Sequence, residues 1–182
     1  FMVAIVVIFF VIFLLFKNLL KKSVSKKIIP DLSYTIPTHY YNNTTRLSKQ
    51  EIINLINYLK KDYKIIHKLG GAIFEQIIEQ IFIKNGFKTQ LTTLSNDSGV
   101  DIIAYNDKIK YFIQCKRWTN VVGINEVQRM KGVVIDQYHT QGIIITTAHF
   151  SNPGKESANK NKAIVNIILK DNTEVFNMIN KY

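Results

Sequence analysis

A chain of 182 residues has room for one ordinary domain and an appendage. Its single cysteine, Cys115, excludes an intrachain disulfide framework and a multi-cysteine zinc site, and His39, His67, His139 and His149 show no metal-ligand spacing. The formal net charge of +11 suits a polyanionic partner without proving one, because five of those charges (Lys17, Lys21, Lys22, Lys26 and Lys27) are gathered in one short stretch.

Residues 1–16 contain no polar or charged side chain. A bilayer core takes about 20 mostly apolar residues, with a lower limit near 17. Lys17 can snorkel and let such a helix continue to Leu20. A secretory signal would carry positive charge before the apolar run and a small-residue cleavage site after it. Here the charges follow, and Leu19-Leu20-Lys21-Lys22 is a poor cleavage site. A buried core helix is disfavoured by the lack of any polar face. Residues 1–20 therefore read as a transmembrane helix, with lipid contact expected through residues 1–27. The lysine flank, with no acidic residue before Asp31, places the rest of the chain on the cytoplasmic side. Residues 21–47 read as a basic juxtamembrane segment and linker, broken by Pro30, Pro37 and Asn42-Asn43-Thr44-Thr45.

Residues 48–68 form the next unit, an amphipathic helix. Ser48 and Glu51 make a capping box, and Ile52, Ile53, Leu55, Ile56 and Leu59 give an apolar stripe reaching about Tyr63. Lys60, Lys61, Lys64 and Lys68 oppose the negative end of the helix dipole. Residues 69–182 then form the main domain. Gly70-Gly71 breaks the chain before a helix over 72–85, whose apolar face is Ile73, Phe74, Ile77, Ile78, Ile81 and Phe82, and Gly86 closes it. A strand follows over 88–92, then a polar loop and two more strands. Asn125 caps a helix over 126–138. A buried strand over 142–146, a short helix over 153–161, a strand over 163–169 and a terminal amphipathic helix over 173–182 complete the order. This alternation predicts an α/β fold, a mixed sheet flanked by helices.

The chemistry concentrates in the second and third strands. Asp101 opens the apolar run 102–105, Asn106-Asp107 makes a tight reversal, and the strand 111–118 contains Gln114, Cys115 and Lys116. Residues two apart on a strand share a face, so Gln114 and Lys116 project together while Cys115 points towards packing. Antiparallel pairing brings Asp101 to the Gln114/Lys116 end. A carboxylate, an amide and a lysine around one ion suit metal-assisted hydrolysis of a phosphodiester. Mg²⁺, or Mn²⁺ in its place, takes oxygen ligands at roughly 2.0–2.1 Å and keeps several waters. Asp101 can supply a carboxylate oxygen, Gln114 an uncharged amide oxygen, and Cys115 its backbone carbonyl. Lys116 would position the attacking water or stabilise charge on the phosphate. Taken singly, Asp101 and Lys116 read as a solvated strand-start carboxylate and a solvated strand-end lysine; Gly99 and the Gln-x-Lys spacing together favour the ligand reading.

From about residue 69 to 180 the chain resembles the Mrr-like branch of the PD-(D/E)xK restriction-endonuclease superfamily. The likeness rests on Phe74-Glu75 in a helix, Asp97-x-Gly99-x-Asp101, and Gln114-x-Lys116 followed by Arg117-Trp118. Val122-Gly123 before a helix, the strand Gly142-Ile143-Ile144-Ile145-Thr146-Thr147 and Phe150-Ser151 after it extend it. The resemblance implies the restriction-endonuclease-like fold, with Asp101, Gln114, Lys116 and Glu75 as catalytic residues. Its metal ligands would be Asp101, Gln114, the Cys115 carbonyl and Glu75, the last holding a water or a second ion. Gln114 stands where the wider superfamily often has Glu, which is normal for this branch. Asp97 reads as a turn-former, and Arg117, Trp118 and Gln128 as weaker contacts to DNA. The implied protein is a membrane-tethered, Mg²⁺-dependent endonuclease of the type IV restriction kind, with double-stranded foreign or modified DNA as partner and a homodimer as candidate assembly. Two alternatives stay open: a structure-specific nuclease of repair or recombination, and an inactive DNA-binding module on the nuclease fold. The presence of Asp101, Gln114 and Lys116 together argues against the second.

Overall fold

A computed structural model describes residues 46–92 and 99–182. Among them no helix is long and apolar enough to cross a membrane. The expected anchor, nearly all of the linker and Asp97 lie outside the described residues.

The first helix, α1 (Lys49–Leu59), starts at the capping box read from the sequence, with the Ser48 N–H donating to Glu51 Oε2 at 2.8 Å. It stops at Leu59, and Asp62 accepts from the Lys64 N–H to begin a separate 3₁₀ turn, Tyr63–Lys68. Ile52, Leu55, Ile56 and Leu59 are buried, and α1 lies against α2 (Gly71–Lys84). The Leu47 N–H donates to the buried Gln76 side chain at 2.8 Å, which fixes the approach to α1.

Five strands follow: β1 (Lys88–Leu91), β2 (Ile102–Tyr105), β3 (Lys110–Lys116), β4 (Thr140–Thr146) and β5 (Ile167–Lys170). They lie side by side in chain order in one sheet. The first three pair antiparallel, whereas β3, β4 and β5 are parallel. Parallel neighbours need crossovers, here α3 (Ile124–Val134) and α4 (Asn152–Asn159), and α5 (Asn172–Lys181) ends the domain. This is the mixed, helix-flanked sheet expected, with the elements in the expected order.

Helices cover both faces. Met130, Val127 and Val134 of α3 and Ala158 of α4 share one core with Ile144 and Ile167 of the sheet, and Phe112 and Leu169 lie against it. Residues of opposite parity, Ile102, Ile113, Ile143 and Ile145, are buried on the other face, where α2 and α5 lie. Two elements depart most from the bounds expected from the sequence. The third helix starts after Gly123, not Asn125, and ends at Val134 instead of near 138; His139, left-handed at φ 53°, lies in the turn that leads from it to β4. The last strand starts at Ile167 instead of 163: Asn161, also left-handed at φ 60°, accepts from the N–H groups of Ile164 and Val165, and that turn absorbs the intervening residues.

Gly142 sets how closely α3 approaches the sheet. A Cβ there would meet Met130 Cγ and Ile167 Cδ1, both at 2.6 Å. Overfilling a packed site of this kind costs about 1–3 kcal/mol. Gly142→Val should lower thermal stability by that order, and an unchanged melting temperature would show that α3 does not press on β4 there.

Candidate active site

The site is built on the end of the β2–β3 pair. Asp101 precedes β2, yet its N–H donates to the Ile113 carbonyl at 2.8 Å, and its carbonyl accepts from the Thr92 N–H at 3.0 Å. With the backbone held on both sides, the carboxylate reaches across to β3, where Oδ2 accepts the Cys115 N–H at 2.6 Å. Asp101 thus takes the place of a strand partner at the point where the β2 ladder ends. In an antiparallel ladder a residue turns its N–H and C=O to the same neighbour, so the Cys115 carbonyl lies on the Asp101 edge as well.

Gln114 and Lys116 occupy the opposite sheet face from Cys115, as their spacing requires. Gly99, at φ 70°, lies so close to Gln114 that a Cβ would stand 2.7 Å from Nε2. Glycine satisfies both the left-handed backbone and the close approach. Gln114 is buried, and among the described residues its Oε1 has no hydrogen-bond partner. An orphan buried acceptor costs about 1–3 kcal/mol and calls for an explanation.

Lys116 is held. Its Nζ lies 2.9 Å from Glu126 Oε2 and 4.3 Å above the Trp118 ring. Its charge still reaches Asp101, whose carboxyl is pushed up by burial while the Cys115 N–H and Lys116 pull it down. Glu75, half-buried on α2, is pushed up to about 7 by burial and by the Asp101 charge. Burial and the charges of Asp101 and Glu75 raise the Cys115 thiol, which keeps it protonated. Asp101 therefore stands between two groups on opposite faces: Glu75 and the Cys115 thiol towards α2, Gln114 and Lys116 towards α3.

The weaker candidates separate. Arg117 turns inward, donating from Nη1 to the His67 carbonyl at 2.7 Å with Nε buried, and so ties β3 to the 3₁₀ turn. Trp118 is 39% exposed, and Gln128 is exposed on α3. Glu79, one turn beyond Glu75, is buried and accepts from Thr89 and Arg46. The residue missed was Glu126. With Asn125 taken as the cap, it reads as an ordinary first-turn acid; with Gly123 as the actual cap, its side chain falls beside Lys116.

The donors fit a hard divalent cation. Asp101 and Glu75 offer two carboxylates whose mutual repulsion a cation would relieve, and Gln114 offers an unpartnered oxygen. Among the described residues no three His, Cys, Asp or Glu side chains are grouped as a metal cage. Few protein ligands and several waters are what Mg²⁺ prefers.

A family model described as a restriction endonuclease, the Mrr catalytic domain, matches residues 66–179. The chain belongs to the Mrr-type restriction endonuclease family. It is 27% identical over 106 residues to the type IV methyl-directed restriction enzyme EcoKMrr of Escherichia coli K12, covering 54% of this chain and 35% of that protein. It thus spans about a third of that relative's length. Among solved structures, the small subunit of the heterodimeric restriction endonuclease R.BspD6I is similar in fold. Its TM-score is 0.50 at 13% identity, covering 72% of this chain and 77% of the subunit. The MspJI restriction endonuclease in complex with a 27-mer oligonucleotide gives a TM-score of 0.44 at 17% identity, over 75% of this chain and 32% of that one.

Folding raises the Glu75 carboxyl from 4.5 to about 7, so the fold favours its protonated form. Its contribution to stability is full below the unfolded value and is lost as pH rises through about 7. Glu75→Gln should therefore raise the melting temperature relative to wild type at about pH 8 and leave it little changed at about pH 4. Parallel curves for the two proteins would contradict the proposed crowding of carboxylates.

Proposed function

We propose that this protein is a divalent-metal-dependent deoxyribonuclease that hydrolyses phosphodiester bonds of double-stranded DNA, with Asp101, Gln114, Lys116 and Glu75 as its catalytic residues. One observation carries the reading: the buried, unpartnered Gln114 oxygen beside an Asp101 carboxylate whose orientation is fixed by the Cys115 N–H. Asp101, Gln114 and the Cys115 carbonyl would hold Mg²⁺ or Mn²⁺, which when bound supplies Lewis-acid stabilisation of the phosphate. The remaining work falls to the chain itself. Lys116 places a positive charge where the phosphorane charge develops. Glu75, on the α2 side of Asp101, would accept a proton from the attacking water. Gly99 lies close against the buried Gln114 amide.

Foreign or modified DNA is the substrate class this reading favours, supported by the methyl-directed activity in the name of the Escherichia coli relative. Residues 1–20 would tether the enzyme to the inner face of a membrane, as the apolar run and its lysine flank suggest. On that arrangement alkaline carbonate should leave the chain in the membrane fraction, and protease added outside intact cells should spare it. Release by carbonate, or digestion from outside, would remove the tether or its orientation.

Asp101→Ala and Lys116→Ala should each abolish single-turnover cleavage in protein that still melts cooperatively, at a lowered temperature because the Cys115 N–H or the Glu126 carboxylate loses its partner; Gln114→Ala should impair cleavage, and Glu75→Ala should have a milder effect. Asp101→Ala should also raise the Mg²⁺ concentration needed, and Lys116→Ala should not. Cleavage at wild-type rates by Asp101→Ala and Lys116→Ala would place the active centre elsewhere.

A further inference from the structure

Three helices of this domain carry a glutamate at the third helical position. In α1 and α5 that residue, Glu51 or Glu174, folds back onto the N–H of its own cap, Ser48 or Asp171. Glu126 holds the same position in α3 and does something else. Its cap is Gly123, and its carboxylate leaves the helix end for Lys116 Nζ at 2.9 Å. A glutamate in a first turn gains from the helix dipole wherever its side chain points, so the dipole does not explain this direction.

The two partners of Glu126 are unequal. Lys116 Nζ and Arg129 Nη1 both approach the same oxygen, Oε2, at 2.9 and 3.3 Å. The Lys116 and Glu126 side chains are each 12% exposed, and that of Arg129 is 52% exposed. Solvent weakens the Arg129 contact, while the Lys116 contact lies where water screens it far less. An ammonium on a four-carbon stem has many rotamers and loses entropy when fixed. Here it is fixed from two sides, by the Glu126 carboxylate and by the Trp118 ring face. Pre-organisation of this kind matters most for a charge whose value lies in its position at the transition state.

From this geometry we infer that Glu126 is a positioning residue of the nuclease site, holding the Lys116 ammonium over Trp118 and beside Asp101. It touches neither the scissile phosphate nor the metal and acts through Lys116. Arg129, the exposed second partner, is free to leave for a DNA phosphate without releasing the lysine. The inference rests on the nuclease reading above, and its test separates the two.

The full chain in detergent, as wild type, Glu126→Gln, Glu126→Asp and Arg129→Ala, would be assayed for single-turnover cleavage over a range of DNA and Mg²⁺ concentrations. Glu126→Gln should slow cleavage at saturating DNA by about tenfold to a hundredfold, with half-saturating DNA and Mg²⁺ each within about twofold of wild type. Glu126→Asp should recover part of the rate, and Arg129→Ala should weaken DNA binding. The ¹⁵Nζ signal of Lys116 in labelled protein should be protected from exchange in wild type and lose that protection in Glu126→Gln. A wild-type rate in Glu126→Gln, or a loss confined to DNA affinity, overturns the inference. Should wild type itself fail to cleave, the nuclease reading falls, and the Lys116 signal alone decides whether Glu126 holds the lysine: unchanged protection in Glu126→Gln would overturn that too.

Discussion

The hydrogen bond from the Cys115 N–H to Asp101 Oδ2 is the constraint on which the site depends. A ladder that ends leaves a backbone donor without a partner, and a buried donor must find one. Supplying it from a carboxylate fixes Asp101 at the end of the β2–β3 pair, turned towards the strand that bears Gln114 and Lys116. Everything else in the site is placed relative to that bond. Glu75 gains its raised pKa from the charge so fixed, and Lys116 exerts its pull on the same group. The arrangement costs stability on its own, since it gathers two carboxylates and an orphan amide oxygen in a half-buried space. On the proposed nuclease reading, a divalent cation and a phosphodiester would offset that cost on binding.

The sheet separates the work between its faces. Towards α2 lie Glu75 and the Cys115 thiol, and towards α3 lie Gln114, Lys116 and the Glu126 that holds the lysine. The parallel half of the sheet makes this arrangement rigid, because α3 must cross over between β3 and β4 and is seated on Gly142 through Met130. Arg117 contributes from the third side by binding the 3₁₀ turn to the end of β3.

Much of this was legible in the sequence because the signals were local. Period-two alternation fixed the facing of Gln114, Cys115 and Lys116, and the short turn at Asn106-Asp107 fixed the register that brings Asp101 alongside. The capping box at Ser48 and the helix after Gly70-Gly71 were read the same way. What escaped included the left-handed backbone at Asn161, whose turn delays β5 and which the residue type does not announce reliably. Glu126 and the inward turn of Arg117 escaped for a different reason. Each depends on a tertiary contact, Lys116 with Glu126 across the loop before α3 and Arg117 with His67 fifty residues back, and no periodicity encodes these.

The most direct test of the account is a crystal grown with Mn²⁺ and a short DNA duplex, with diffraction recorded at the manganese absorption edge. The account predicts an anomalous peak bound by Asp101, Gln114 Oε1 and the Cys115 carbonyl, with a phosphate between it and the Lys116 ammonium. Manganese bound elsewhere, or a Gln114 oxygen still without a partner in the presence of metal and DNA, would contradict it.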